Sequence, residues 1–278
     1  MKEVCFYHGG CADGILSAAI IKKSNPTIEC VSSAYGDRPD PELYTGATVY
    51  ISDFSFEPEV MKDIHTKAHM LIWNDHHQTA KDKNLEMWND KTIPGFRQMD
   101  KSGALLTWEY INPKTPVPIL VSRTSDRDLW KYEFGEESAW YHEAFDYFIS
   151  DPQDVLDCPI LDDQHPFYEV ETKKWIGTGK IIVNLKNKRV KKAFATGFEK
   201  KILGKRVWCM NSQTDISDIG NYACKHGYDA GIVFSKTGDL WHYSVRSTDG
   251  KTALEIATKY KGGGHPNAAA FRIKEYIL

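Results

Sequence analysis

Short apolar runs at residues 4–7, 28–32, 48–52 and 70–73 alternate with stretches at 14–23 and 58–67 that are patterned as helices. Short strands separated by helices are the signature of βαβ units, so the first part of the chain is expected to form a largely parallel sheet. Residues 102–110 and 136–150 also read as helices, the latter with aromatic and acidic residues sharing faces. Residues 152–179 are rich in Pro, Asp and Gly, and 186–203 are strongly basic and helix-compatible, so this part reads as a connector. From residue 204 a second alternation begins, with strands at 206–211, 230–235 and 240–247 and helices at 216–226 and 253–260. The pattern predicts an α/β protein of two bodies. A larger one spans residues 1–185, a basic helical connector 186–203, and a smaller α/β domain 204–278.

A chain of 278 residues is long enough for two such domains, each with its own core. The formal net charge of -3 argues against wholesale wrapping of duplex nucleic acid, while leaving room for a locally basic groove. A nucleic-acid partner is therefore expected to be short. No apolar run approaches the roughly 20 residues that span a bilayer, and the start lacks the apolar stretch of a signal peptide, which together lead us to expect a cytoplasmic protein. The six cysteines are scattered without paired spacing, as expected of reduced thiols rather than a disulfide framework or a zinc ribbon.

The chemistry gathers where strands end. Asp75-His76-His77 follows the run Met70-Leu71-Ile72-Trp73 after one residue, Asn74, at the carboxyl end of a strand, where open α/β sheets bind ligands. Taken alone, the triplet also reads as a helix cap followed by two solvated histidines. His8 and Asp13 flank Gly9 and Gly10 between the first strand and its helix, a turn that suits metal ligands or a phosphate held by free backbone amides. Asp53 stands at the end of the third strand, where a lone aspartate is more often a turn or cap residue. A further acid comes from Ser125-Asp126-Arg127-Asp128, one aspartate completing the site and the other pairing with an arginine. Carboxylates and imidazoles without thiolate pairs suit Mn²⁺, Mg²⁺ or a related divalent ion. Two such ions bridged by one carboxylate would stabilise charge developing on a phosphoryl group.

These segments, together with Gly262-Gly263-Gly264-His265-Pro266-Asn267-Ala268-Ala269-Ala270 near the end, resemble the DHH phosphoesterases that carry a C-terminal DHH-associated domain. The resemblance covers nearly the whole chain. It implies a two-metal phosphoesterase acting through metal-activated water in a cleft between the catalytic domain and the C-terminal domain. By that resemblance, one ion is held by His8 and Asp53. The other is held by Asp13, Asp53, His76 and Asp126, with Asp53 as the bridge. His77 orients the site and assists at the phosphate, and Asp75 supports the histidines. The family's second aspartate, two residues before Asp13, is Cys11 in this chain. It is either a thiolate ligand or a small buried residue that leaves the His8 site short of charge.

The resemblance also assigns Gly262, Gly263, Gly264 and His265 to the substrate's distal nucleotide or phosphate, with Arg246 and Ser247 as the other contacting pair. The glycines otherwise read as a helix C-cap and turn, and the lysines at 186, 188, 191 and 192 as a solvated helix face. The leading expectation is a metal-dependent phosphodiesterase, exonuclease-like, acting on short single-stranded oligonucleotides or small (di)nucleotides. The competing readings are a nucleotide-sequestering protein descended from such an enzyme and a pyrophosphatase or polyphosphatase. A homodimer is left open, and no membrane partner is expected.

Overall fold

The computed structural model describes residues 2–278 and divides into two compact units, Met1–Val183 and Asn184–Leu278. The first unit opens with β1 (Glu3–His8), α1 (Ala12–Ser24), β2 (Glu29–Ser33), α2 (Pro41–Tyr44), β3 (Thr48–Ser52), α3 (Pro58–Lys67) and β4 (Met70–Asn74). The strands form one four-stranded sheet in the order β2-β1-β3-β4, with every pairing parallel. Alternate residues of β1 serve opposite faces. Cys5 and Tyr7 pack with α1 through Leu16 and Ile20, while Val4 and Phe6 join Val49, Ile51, Leu71 and Trp73 against Val60, Met61 and Ile64 of α3. Both faces are covered, which is why the strands read as continuous apolar runs.

The rest of this unit is helical: α4 (Gln78–Lys83), α5 (Leu85–Asn89), α6 (Gly103–Ile111), α7 (Ile119–Asp128), α8 (Glu136–Phe148), α9 (Pro152–Asp157), a short 3₁₀ turn at Pro159–Leu161, and α10 (Tyr168–Phe194), which runs on into the second unit. Residues 152–179, expected as connector from their Pro, Asp and Gly content, are therefore largely helix. Pro152 occupies the first turn of α9, where its missing N–H costs nothing, and Asp151 caps it. Gly179 lies inside α10 because a Cβ there would stand 2.0 Å from the Trp140 carbonyl oxygen. Trp175 of α10 is fully buried beside Tyr141, Phe145 and Phe148. Tertiary packing thus overrides the breakers.

In the second unit, β5 (Phe198–Ile202), β6 (Lys205–Asn211), α11 (Ile216–Lys225), β7 (Ala230–Thr237), β8 (Leu240–Ser247), α12 (Thr252–Lys259), β9 (Gly263–His265) and β10 (Ala268–Ile273) build a six-stranded sheet in the order β5-β6-β7-β8-β10-β9. Only β6 and β7 pair parallel. The helix expected over residues 186–203 ends at Phe194, because residues 198–202 are recruited as an edge strand against β6. Gly197 leads into that strand with its Cα on the Trp208 indole, where a Cβ would meet the ring at 2.1 Å. One face of the sheet buries Ile232, Phe234, Tyr243 and Val245 with Ala253 and Ile256 of α12. The other buries Trp208 and Val233 with Val190, Ile219 and Ala223. Among the described residues, no helix is long and apolar enough to cross a membrane.

The helix α11 approaches β7 closely through glycines. A Cβ on Gly231 would stand 2.3 Å from the Gly220 carbonyl oxygen, so Gly231→Ala is expected to lower stability by about 1–3 kcal/mol in a denaturant melt. Asp249 precedes α12 and accepts hydrogen bonds from the amides of Lys251 and Thr252 and from the Thr252 hydroxyl. Partial burial pushes its carboxyl up, but these bonds outweigh that and bring it to about 2. Because the folded value lies below the unfolded one, this contribution is present above about pH 4 and is lost as pH falls through about 2. Asp249→Ala should cost about 1 kcal/mol at pH 7 and progressively less as pH falls below about 4.

Candidate metal centre

In the order β2-β1-β3-β4, β1 lies between β2 and β3, so the connections after β1 and after β3 lead away in opposite directions. A crevice opens at the carboxyl ends of these two strands. His8 ends β1, Asp53 immediately follows β3, and Asp75-His76-His77 follows β4. The turn after His8 runs through Gly9 and Gly10 to Cys11, the N-cap of α1, and Asp13 lies in that helix's first turn. Gly14 permits α1 to start against the strand, since a Cβ there would stand 2.1 Å from the His8 carbonyl oxygen.

Asp53 is the hub. Its backbone is left-handed, with φ 56°, a conformation a non-glycine residue adopts only where the surroundings impose it. Its buried carboxylate divides its two oxygens between two sets of neighbours. Oδ1 lies 3.0 Å from His76 Nε2 and 3.9 Å from His77 Nδ1, and Oδ2 lies 3.2 Å from Cys11 Sγ and 3.6 Å from His8 Nδ1. His76 Nε2 is also 3.7 Å from Asp13 Oδ2 and 3.5 Å from Asp128 Oδ2. Three groups of donors, His8–Cys11–Asp53, Asp53–His76–His77 and Asp13–His76–Asp128, each converge closely enough to share one ion.

Asp13, Asp75 and Phe54 around this hub are buried, while Tyr35 is half exposed. Asp13 accepts from the backbone N–H of Gly103 (2.7 Å) and Ala104 (3.0 Å), at the N-terminus of α6, where the helix dipole favours a carboxylate. Gly103 is needed there, because a Cβ would stand 2.4 Å from the Asp53 Cβ. Asp75 Oδ1 accepts from the amides of His76 and His77 and lies 2.8 Å from His77 Nδ1, which sets the ring's orientation. Tyr35 stands edge-on to both His8 and His77, and Phe54 stacks on His8.

Without a cation the cluster draws in protons. Burial, then the neighbouring Asp53 and Asp128 charges, push the Asp13 carboxyl well above its usual range. Burial would lower His76, but its hydrogen bond to Asp53 and the charges of Asp128, Asp53 and Asp13 outweigh that and lift it to about 10. Burial would raise Asp53, yet hydrogen bonds from His76 and His8 hold it well below the carboxylate range. Burial and the Asp53 charge push the Cys11 thiol up, so its hydrogen goes to Asp53. Crowded buried acids that recruit protons for neutrality fit a divalent cation, and oxygen and nitrogen donors fit Mn²⁺ or Mg²⁺.

The structure brings His8, Asp13, Asp53, His76 and His77 together, with Asp75 behind them. Asp126 does not join them, and this corrects its assignment as a ligand position. Its carboxylate accepts from the amides of Glu133 and Phe134 and from the Ser138 hydroxyl, fastening the loop after α7. Residues two apart on a helix point about 200° from one another, so only one of Asp126 and Asp128 can face the cluster, and it is Asp128. Arg127 stacks over Trp130. Ser102-Gly103 was missed as part of the site. Its signal is a cap residue followed by glycine at the head of a helix.

In the second unit, Arg246, Ala268 and His265 stand opposite one another on β8, β10 and β9, so Arg246 and His265 share a face across a small alanine. Ser217 and Ser244 hold the Arg246 guanidinium at 2.6 and 3.0 Å. The Ser247 hydroxyl is buried and accepts from Ala253 N at the start of α12. Gly262 N closes the end of α12 on the Ala257 carbonyl, and Gly263 and Gly264 form β9, where a Cβ on Gly264 would collide with the Ala268 carbonyl oxygen at 2.5 Å. The cap and the strand therefore account for these three glycines.

The fold of an exopolyphosphatase-related protein from Bacteroides fragilis matches 99% of this chain and 88% of that one, with a TM-score of 0.54 and 12% identity. RecJ from Thermus thermophilus, solved with Mn²⁺, matches 98% of this chain and 49% of its own, with a TM-score of 0.53 and 12% identity. The pGpG-specific phosphodiesterase PggH from Vibrio cholerae matches 98% and 93%, with a TM-score of 0.50 and 13% identity. The fold is shared with these three proteins. At these identities the likeness is one of fold. An uncharacterized protein of Acanthamoeba polyphaga mimivirus is 28% identical over 293 aligned residues, covering 96% of this chain, and the chain spans 66% of that relative's length. No family model matches.

The contact between Gly103 and Asp53 gives a direct check. Gly103→Ala should displace the hub or the head of α6, lowering stability by about 1–3 kcal/mol and weakening Mn²⁺ binding at least tenfold, as read by thermal melting and calorimetric titration.

Proposed function

We propose that the chain is a DHH-type phosphoesterase that hydrolyses phosphodiester bonds in short oligonucleotides or small (di)nucleotides with the help of divalent cations. The observation that carries this reading is the buried Asp53 carboxylate, whose two oxygens face two different donor sets at the switch point of a parallel sheet. Asp53, His8 and Cys11 would hold one ion, and Asp53, Asp13, His76 and Asp128 the other. Bound there, such ions polarise a phosphoryl oxygen, lower the pKa of water and offset the charge on the leaving oxygen.

The residues around them have separate tasks. His77, turned by Asp75, presents its Nε2 for a hydrogen bond to a phosphoryl oxygen. The dipole of α6 anchors Asp13, so the acid keeps its place when substrate charge arrives. Supporting a nucleotide substrate, the Arg246 guanidinium, braced by two serines, and His265 offer hydrogen-bond donors to phosphate from one face. We assign them to phosphate binding within the second unit.

The deciding experiment incubates the chain and Mn²⁺ with labelled di- to decanucleotides, cyclic dinucleotides, a nucleoside 3′,5′-bisphosphate and tripolyphosphate. Nucleotide products are expected, and chelation or Asp53→Ala should reduce the rate by about 10³-fold or more while the circular dichroism spectrum is kept. An undiminished rate in the variant would sink the proposed site. Cleavage of tripolyphosphate alone would replace the phosphodiesterase with a polyphosphatase, and tight nucleotide binding without turnover would replace the enzyme with a sequestering protein. His265→Ala should raise KM about tenfold and leave metal content unchanged.

A further inference from the structure

The two donor sets that share Asp53 are chemically unlike. Around Asp13, His76 and Asp128 every ligand atom is oxygen or nitrogen, whereas the set on the other side contains the sulfur of Cys11. Three distances define that second set: Cys11 Sγ to His8 Nδ1 3.5 Å, Cys11 Sγ to Asp53 Oδ2 3.2 Å, and His8 Nδ1 to Asp53 Oδ2 3.6 Å. Metal bonds of about 2.3 Å to sulfur and about 2.0–2.1 Å to nitrogen and oxygen place tetrahedral ligand atoms about 3.3–3.6 Å apart. Two of the three separations fall in that range and the Cys11–Asp53 one is shorter, so the atoms lie near one face of such a tetrahedron.

The sulfur is held in that position by the fold. Cys11 caps α1, with Sγ accepting the Gly14 amide at 3.3 Å, and the helix start is pinned against the His8 carbonyl by a glycine that tolerates no side chain. The Gly14 amide favours a thiolate, while burial and the Asp53 charge oppose one, so the sulfur needs a cation beside it to ionise. A thiolate, an imidazole and a carboxylate at tetrahedral spacing discriminate among divalent ions by softness, favouring Zn²⁺, Co²⁺ or Cd²⁺ over Mg²⁺ and Mn²⁺.

We propose that His8, Cys11 and Asp53 form a thiolate-containing site selective for a thiophilic divalent ion, and that the neighbouring Asp13–His76–Asp128 set takes a harder one. This rests on the phosphoesterase reading and deepens it, making the centre a mixed pair rather than two like ions. On binding, the metal–sulfur bond forms, the S–H bond breaks, and one proton passes to solvent.

Cobalt(II) titration of the full chain reads the sulfur directly through its near-ultraviolet sulfur-to-metal charge-transfer band. The band should saturate at one equivalent, be removed by Zn²⁺ but not by Mg²⁺, and vanish in both Cys11→Ser and Cys11→Asp. Zn²⁺ affinity at this site should fall about 10- to 100-fold in Cys11→Ser. Cys11→Asp should lose the Zn²⁺ preference and gain Mn²⁺. Absence of the band in the unaltered protein, or its survival in either variant, overturns the proposal. Mn²⁺-dependent hydrolysis without a band removes the sulfur ligand and leaves the phosphoesterase standing. A Cys11-dependent band in a protein that hydrolyses nothing does the reverse.

Discussion

Everything at the candidate centre depends on one buried carboxylate. Asp53 is taken out of water at the end of β3, in a left-handed backbone conformation, with imidazoles and a thiol as its nearest partners. Burying an anion is costly unless positive charge or several hydrogen bonds accompany it. The surrounding acids Asp13 and Asp128 raise that cost, since they add like charge within a few Å of the same histidine. A cluster of this kind is poorly balanced by itself and well balanced around a cation, which is the physical content of the proposed metal centre.

The backbone around Asp53 is arranged to allow that burial. Gly103 brings the head of α6 against the aspartate itself, and the free amides of Gly103 and Ala104 take the charge of Asp13. Gly14 does the same for α1 against β1. These are close approaches of backbone to backbone or to a ligand side chain, and each leaves no room for a Cβ. Asp75, fully buried, uses one oxygen to orient His77 and satisfy two amides, so a residue out of reach of solvent sets the geometry of a partly exposed one.

In the second unit, Arg246 and His265 come together because three strands align in register, while their sequence neighbours serve the fold. Ser247 accepts the Ala253 amide in the first turn of α12, and Gly262 to Gly264 finish that helix and build a short strand. The segment that looked most like a ligand loop is thus partly scaffold.

Much of the fold was legible in the sequence. Four apolar runs in the first part and a second alternation after residue 204 announced two α/β bodies, since strand burial and helix amphipathicity are local properties of the residue pattern. The same logic placed His8, Asp13, Asp53 and Asp75-His76-His77 at strand ends. Local pattern could not show that 168–194 would be one helix, because Trp175 and Gly179 are explained by the aromatic residues they pack against. Nor could it choose between Asp126 and Asp128, which the turn of a helix sends in opposite directions. By itself the sequence determined which residue types stand where strands give way to loops. Only the tertiary structure decided which of them converge, because convergence depends on strand order, helix phase and the few places where a missing Cβ lets two backbones meet.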